Sequence, residues 1–173
     1  MPSSRSMILA ASILGCAPKA DPIAPGISTV TEAPSASSRK VASSANSRWE
    51  HFDALKSWPV LSSDPFVSTH LDGRHRAAVR TNDVARDAYL ALLPGKEMPL
   101  GSIVVELLHD SESGRAGPAF TMQKLAPGRW QYAVVEQDGT VLTSATTLCR
   151  RCHAEAVSDQ LFGLPDAARP TAH

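Results

Sequence analysis

Cys149, Cys152 and His153 lie in the run Cys-Arg-Arg-Cys-His close to the C-terminal end of the chain. Thiols at this spacing can form thioethers to the two vinyl groups of one haem, and a histidine directly after the second thiol is placed to ligate the iron. The spacing therefore predicts one covalent haem c per chain. Its iron would bring most of the chemistry while the protein sets the sixth coordination position. Other chemistries compete for the same residues. A structural zinc site needs four ligands, usually with a second Cys or His pair nearby, and the only other cysteine is Cys16. A thioredoxin-like redox dithiol normally opens a helix in a βαβ unit near the N-terminus, whereas this one comes late with no further sheet expected after it. A plain structural disulfide has no use for the trailing histidine.

The other end of the chain bears on the same question. Residues 1–16 carry one early positive charge, Arg5, and a short apolar stretch from Met7 to Gly15. That stretch falls well below the ~20 apolar residues of a spanning helix and reads as a secretion signal. Its end, Ile13-Leu14-Gly15-Cys16, resembles a bacterial lipobox, although Leu14 is bulkier than the usual residue there. Lipidation is expected at Cys16, with ordinary signal cleavage as the alternative. Either outcome exports the chain to the periplasmic side, where c-type haem is attached, and leaves a lipid anchor as its only expected membrane contact. Lipid on Cys16 and haem on Cys149 and Cys152 would use every thiol, leaving none free in an oxidising compartment.

Residues 17–47 are Ala, Pro, Ser and Thr with few large side chains. Such a segment cannot bury enough apolar area to offset its ordering entropy, so it is expected to be a disordered tether. Residues 166–173 have the same character and are expected to form a flexible tail. Between them, 48–165 is one domain's worth of chain. Acids and bases balance at 17 each, for a formal net charge of zero. They are interspersed, so no nucleic-acid surface is expected. Arg150-Arg151 reads as a solvated pair or a neighbour of haem propionates.

The elements that must position the motif can be read from periodicity and breakers. Trp49, Phe52, Leu55 and Trp58 fit one face of a short helix stopped by Pro59. Ser63-Asp64-Pro65 and Leu71-Asp72-Gly73 mark loops, and 76–81 could be a strand. Asn82 or Asp83 can cap a helix running to Leu92, with Val84, Ala88 and Leu92 on its apolar stripe. The run 101–109 is rich in β-branched residues and short between breakers, which predicts a strand. Ala119 to Leu125 alternates, with Phe120 and Met122 on one side. Arg129 to Glu136 alternates too, placing Trp130, Tyr132 and Val134 together. Asp138-Gly139 predicts a hairpin turn into a return strand from Thr140. Thr146 or Thr147 can cap a closing helix that carries Cys149, Cys152 and His153. The expected fold class is α+β: an antiparallel sheet of four to five strands with flanking helices, the haem motif lying on a C-terminal helix.

A small electron-transfer cytochrome c carries its motif early and a methionine ligand far downstream, and no methionine follows His153. A four-helix cytochrome c′ has a late motif but a helical body. Here the body alternates like a sheet and carries Val79-Arg-Thr-Asn82 with Ala85 and Tyr89, then Pro99-Leu-Gly-Ser-Ile-Val-Val105. Phe120-Thr-Met-Gln-Lys124, Gly128-Arg-Trp130 with Tyr132, Asp138-Gly139, and Cys149 to His153 through Leu161-Phe-Gly163 follow in order. Over about 49–163 this pattern resembles the cytochrome P-460 family, which includes the cytochrome c′-β proteins. The resemblance implies a haem c with His153 as proximal ligand, a sixth site open to small nitrogen-containing molecules, and a homodimer, which no surface stripe in the sequence requires. Hydroxylamine-oxidising members of that family tie a lysine to the porphyrin after a Gly-x-Val-x-Val-like strand. The matching position here is Glu106, which cannot form that link.

Lys124 is the one nearby substitute for the lysine, against the plainer reading of a snorkelling surface side chain. Glu106 either faces solvent from an edge strand or projects into a pocket opposite His153, where burial would raise its pKa. Phe120 and Met122 either line that pocket or belong to the ordinary core. His70, His75 and Met98 are candidates for the sixth ligand, and Arg76, Arg80 and Arg129 for propionate partners. The function expected first is binding of nitric oxide or another small nitrogen-containing ligand. The alternatives are a haem oxidoreductase, acting on hydroxylamine or peroxide, and an electron-transfer cytochrome. No redox partner can be named from the sequence.

Overall fold

The computed structural model of the chain describes residues 47–142 and 146–170. The signal segment 1–16 with Cys16, the tether up to residue 46, residues 143–145 and the last three residues of the tail lie outside the described residues. One antiparallel sheet runs through the domain in sequential strand order. Its strands are β1 (Phe66–Val67), β2 (His75–Thr81), β3 (Ile103–Asp110), β4 (Ala116–Ala126), β5 (Arg129–Val135) and β6 (Val141–Leu142). Helix α1 (Asp83–Leu90) lies in the β2–β3 connection, and α2 (Thr146–His153) follows the sheet. The α+β class is as expected, with a sixth strand beyond the four to five anticipated. The addition is β1, two residues after Pro65 that the turn composition concealed.

Register explains why the sheet has two cores. Val79, Glu106, Phe120 and Val134 lie opposite one another across β2 to β5, and Val104, Met122 and Tyr132 form the adjacent row. Because side chains alternate across a pleated strand, these rows share one face. There Val79, Val104, Met122, Trp130 and Tyr132 pack with Ala85 and Tyr89 of α1, and with Met98, Leu161 and Leu164. The opposite face carries Ile103, Val105, Ala119, Ala133 and Val135, covered by Trp49 and Leu55. Burial on both faces is what makes Ile103-Val-Val105 a continuous apolar run rather than an alternating one.

Helix α1 starts where its cap dictates. The Asn82 side-chain oxygen accepts from Ala85 N at 3.1 Å and from Ile103 N at 3.0 Å, and its amide donates to Gly101 O at 2.9 Å. One side chain thus caps the helix and fixes the start of β3. The buried stripe is Ala85 and Tyr89, with Ala88 and Leu92 beside it; Val84, expected on the stripe, is half exposed. The helix expected from Trp49 to Trp58 is only a 3-10 turn at Ala54–Ser57. Its leading residues are taken up by the sheet edge, where Trp49 N donates to Gly139 O at 2.8 Å and Arg48 bridges Thr140. Part of the expected flexible tail is instead folded. Asp166–Ala168 forms a 3-10 turn, Ala168 is buried, and Ser63 N donates to Ala168 O at 3.0 Å.

Gly139 packs closely against Phe52 at this edge. Its φ is +90°, and a Cβ there would stand 2.8 Å from Cγ of Phe52. Gly139→Ala meets both backbone strain and a ring clash, and is expected to cost about 2 kcal/mol. Urea unfolding should show a lower midpoint at unchanged slope; a midpoint equal to wild type would contradict this reading of the turn.

Candidate functional site

Helix α2 carries all three motif residues. Positions i, i+3 and i+4 share a helix face, so Cys149, Cys152 and His153 project on one side. Cys149 is half-buried and packs against the core beneath α1, while Cys152 is exposed. Burial pushes the Cys149 thiol above its ordinary range, and the neighbouring Cys152 adds to this. Arg150, Arg151 and His153 fill the last turn, where positive charge complements the helix C-terminus.

His153 is held by the segment that follows the helix. Its Nδ1 lies 2.8 Å from Gln160 O. A carbonyl only accepts, so the neutral ring carries its hydrogen on Nδ1 and a lone pair on Nε2. Burial draws the imidazole below the ordinary histidine range; the Gln160 hydrogen bond opposes this, His70 adds to it and Glu106 opposes it. The rings of Tyr132 and Phe162 flank His153 at centroid distances of 5.5 and 5.4 Å.

Gln160 is placed with unusual thoroughness. Its Oε1 accepts from the Tyr132 hydroxyl at 2.8 Å and its Nε2 donates to Gly128 O at 2.8 Å. Burial, with Cys149 and Asp159 close by, pushes that hydroxyl's pKa up to about 12, so it stays a donor. Asp159 and Gln160 both adopt left-handed backbone, at φ 52° and 64°. What holds Asp159 there is Lys124, whose side chain is 0% exposed. Its Nζ lies 2.6 and 2.7 Å from the two Asp159 oxygens, and the carboxylate also accepts from Met98 N at 2.8 Å and Trp130 Nε1 at 3.3 Å. Lys124 is therefore neither the snorkelling surface lysine expected nor an uncommitted amine, because its ammonium is buried against a carboxylate.

Across from His153 stands a second group. Ser68, 0% exposed, donates from its hydroxyl to Glu106 Oε1 at 2.5 Å and accepts from His70 N at 3.0 Å. His70 Nδ1 lies 3.3 Å from Glu106 Oε1. The His70 ring stacks on Phe120, with centroids 4.2 Å apart and planes at 17°, and its centroid is 6.3 Å from that of His153. The turn presenting it, His70–Gly73, has Leu71 and Asp72 in the left-handed region at φ 51° and 60°. Glu106 thus departs from two of the details expected of it, the edge position and the raised pKa. It sits on β3 between β2 and β4, not on an edge. Its pKa is not raised: burial pushes it up, but hydrogen bonding and charge from His70, with the Ser68 hydrogen bond, hold it below the ordinary glutamate range.

The remaining candidates separate clearly. Phe120 belongs to the His70 group, whereas Met122 and Met98 are buried core residues. His75 begins β2 opposite Asp110 and meets this group through its backbone, its carbonyl accepting from Ser68 N at 2.9 Å. Arg76 and Arg80 are spent on backbone carbonyls, of Pro65 and of Trp58 respectively; Arg129 is exposed. His70 and His75 do form an H-x4-H pair that on spacing alone could join the thiols around zinc. Among the described residues, no three His, Cys, Asp or Glu side chains gather to hold a metal ion by themselves. A groove of about 330 Å³ lined by Phe52, Leu55, Leu107 and Val135 belongs to the opposite core and contains no motif residue.

No family model and no curated protein matches the chain. Ser68, Asp159 and Gln160 were not anticipated, because their partners Glu106, Lys124 and Tyr132 lie far away in the chain and leave no spacing signal. Lys124→Met would strand the Asp159 carboxylate in the core. Breaking one side of such a pair costs about 3–5 kcal/mol, so denaturant unfolding should show a loss of that order. A loss under about 1 kcal/mol would remove the pair from this account.

Proposed function

We propose that the chain is a c-type haem protein, similar in plan to the cytochrome P-460 family, that binds nitric oxide or another small nitrogen-containing ligand. In this reading Cys149 and Cys152 carry the haem, His153 ligates the iron through Nε2, and the ligand is taken on the side of His70 and Phe120. Export by the 1–16 segment, lipid attachment at Cys16 and a 17–47 tether would hold the domain at the periplasmic side of a membrane.

The observation that carries the reading is the donor set on α2. Two thiols one turn apart precede an imidazole whose Nδ1 is already committed to Gln160 O. A histidine that ligates a metal through one nitrogen typically donates its other N–H to a carbonyl or carboxylate, which fixes the ring. Burial, which favours the neutral ring, keeps the lone pair available. A redox dithiol needs neither feature. When bound, the haem would supply a redox-active iron with affinity for diatomic ligands. The chain's own part is to orient His153, to flank its ring with Phe162 and Tyr132, and to present Phe120 as apolar surface on the sheet. Glu106, standing where a cross-linking lysine would be, favours ligand binding over hydroxylamine oxidation.

Chain produced in a haem-maturing host, then reduced, should change its visible absorption spectrum on addition of nitric oxide. His153→Ala should retain covalent haem while altering both the resting spectrum and the response. A haem-loaded wild-type chain whose reduced spectrum is indifferent to nitric oxide would contradict the proposed activity.

A further inference from the structure

We infer that Tyr132 and Gln160 are positioning residues that set the reduction potential of the haem iron, by holding the Gln160 carbonyl against Nδ1 of His153. The inference rests on the haem reading above and adds which residues tune the iron. Nδ1 donates to the Gln160 carbonyl at 2.8 Å. A hydrogen bond behind a ligating imidazole raises its basicity and makes it a better electron donor. A better donor favours ferric over ferrous iron, so this bond lowers the potential. How strongly it acts depends on where the carbonyl stands. The helix does not decide that, because α2 ends at His153 and the carbonyl lies seven residues further on.

The backbone around Gln160 does not adopt its shape cheaply. Ser158 to Leu161 forms a tight turn, closed by Leu161 N donating to Ser158 O at 3.0 Å, and both central residues have positive φ. Such turns favour Gly, Asn or Asp at the centre. Asp159 meets that preference, whereas Gln160 stands where glycine would fit with less strain. The glutamine side chain compensates. Its Oε1 accepts from the Tyr132 hydroxyl and its Nε2 donates to Gly128 O, both at 2.8 Å. Lys124 anchors the adjoining Asp159 in the same way. These supports come from β4, β5 and the turn between them, so the carbonyl is fixed to the sheet while His153 rides on α2. Both ends of the Gln160 amide are engaged, and the result is one carbonyl aimed at one imidazole nitrogen.

Potentiometric titration of the haem-loaded full chain tests this, read together with the ferrous iron–histidine stretch by resonance Raman. Gln160→Gly accepts the positive φ and removes both side-chain anchors, so it frees the carbonyl without straining the turn. It should favour ferrous iron roughly tenfold over wild type, an upward shift of about 59 mV for one electron, and lower the stretching frequency. Tyr132→Phe keeps the ring beside His153 and removes only the hydroxyl; it should move both readouts the same way by less. In the Gln160→Gly background Tyr132→Phe should add nothing, because the hydroxyl then has no side chain to hold. An unshifted potential in Gln160→Gly overturns the inference. So does a Tyr132→Phe shift of equal size in both backgrounds, which would give the hydroxyl a route to the iron that bypasses Gln160. A wild-type chain without covalent haem overturns the underlying reading as well, and haem content alone tells the two failures apart.

Discussion

The buried ion pair between Lys124 and Asp159 is the constraint on which the site depends. Taking two charges out of water is expensive, and their attraction offsets the cost only with good geometry and full hydrogen bonding. Both conditions hold. The ammonium meets both carboxylate oxygens below 3 Å, and the carboxylate also serves Met98 N and Trp130 Nε1. The pair joins a central strand to the segment after α2, which would otherwise have little reason to hold two consecutive left-handed residues. With Asp159 fixed, Gln160 turns its carbonyl to His153 and its side chain to Tyr132 and Gly128. A charge on β4 thereby sets the tautomer and orientation of an imidazole on a helix.

The opposite side is built from strand register. Pairing of β2, β3 and β4 puts Val79, Glu106 and Phe120 in one row. The carboxylate and the aromatic face are neighbours because the strands align, and His70 uses both. Its ring lies flat on Phe120 while its Nδ1 meets Glu106. The bulge between Leu107 and His109 lies just beyond this row, toward the β3–β4 turn. Two imidazoles thus come within 6.3 Å of each other, centroid to centroid, from independent supports. One is held by a loop pinned through a buried charge, the other by a strained turn laid on the sheet.

Much of this fold was legible in the sequence. The β-branched run at 101–109, the alternation through Phe120 and Met122, and Asp138-Gly139 located β3, β4 and the last hairpin. Asn82 announced α1, because a cap is a local device with a local signal. The motif residues were legible for the same reason, since their chemistry is written in spacing. What was hidden depends on partners far apart in the chain. Lys124 reads as a surface residue until Asp159 is found beside it, and Glu106 reads as ambiguous until Ser68 and His70 are. Gln160 acts through its main-chain carbonyl, which no side-chain pattern encodes. His70 stood beside His75 and Met98 as a candidate in the sequence, and only the left-handed turn over Phe120 brings its ring near His153.

The central claim is that α2 is a point of covalent haem attachment with His153 poised beside it. Intact mass measured under denaturing conditions, on chain matured in a haem-attaching host, tests it most directly. The account predicts one haem retained per chain, with the added mass located on the peptide containing Cys149 and Cys152. A chain that leaves such a host at the mass of the bare polypeptide, or with those cysteines joined to each other, would contradict it.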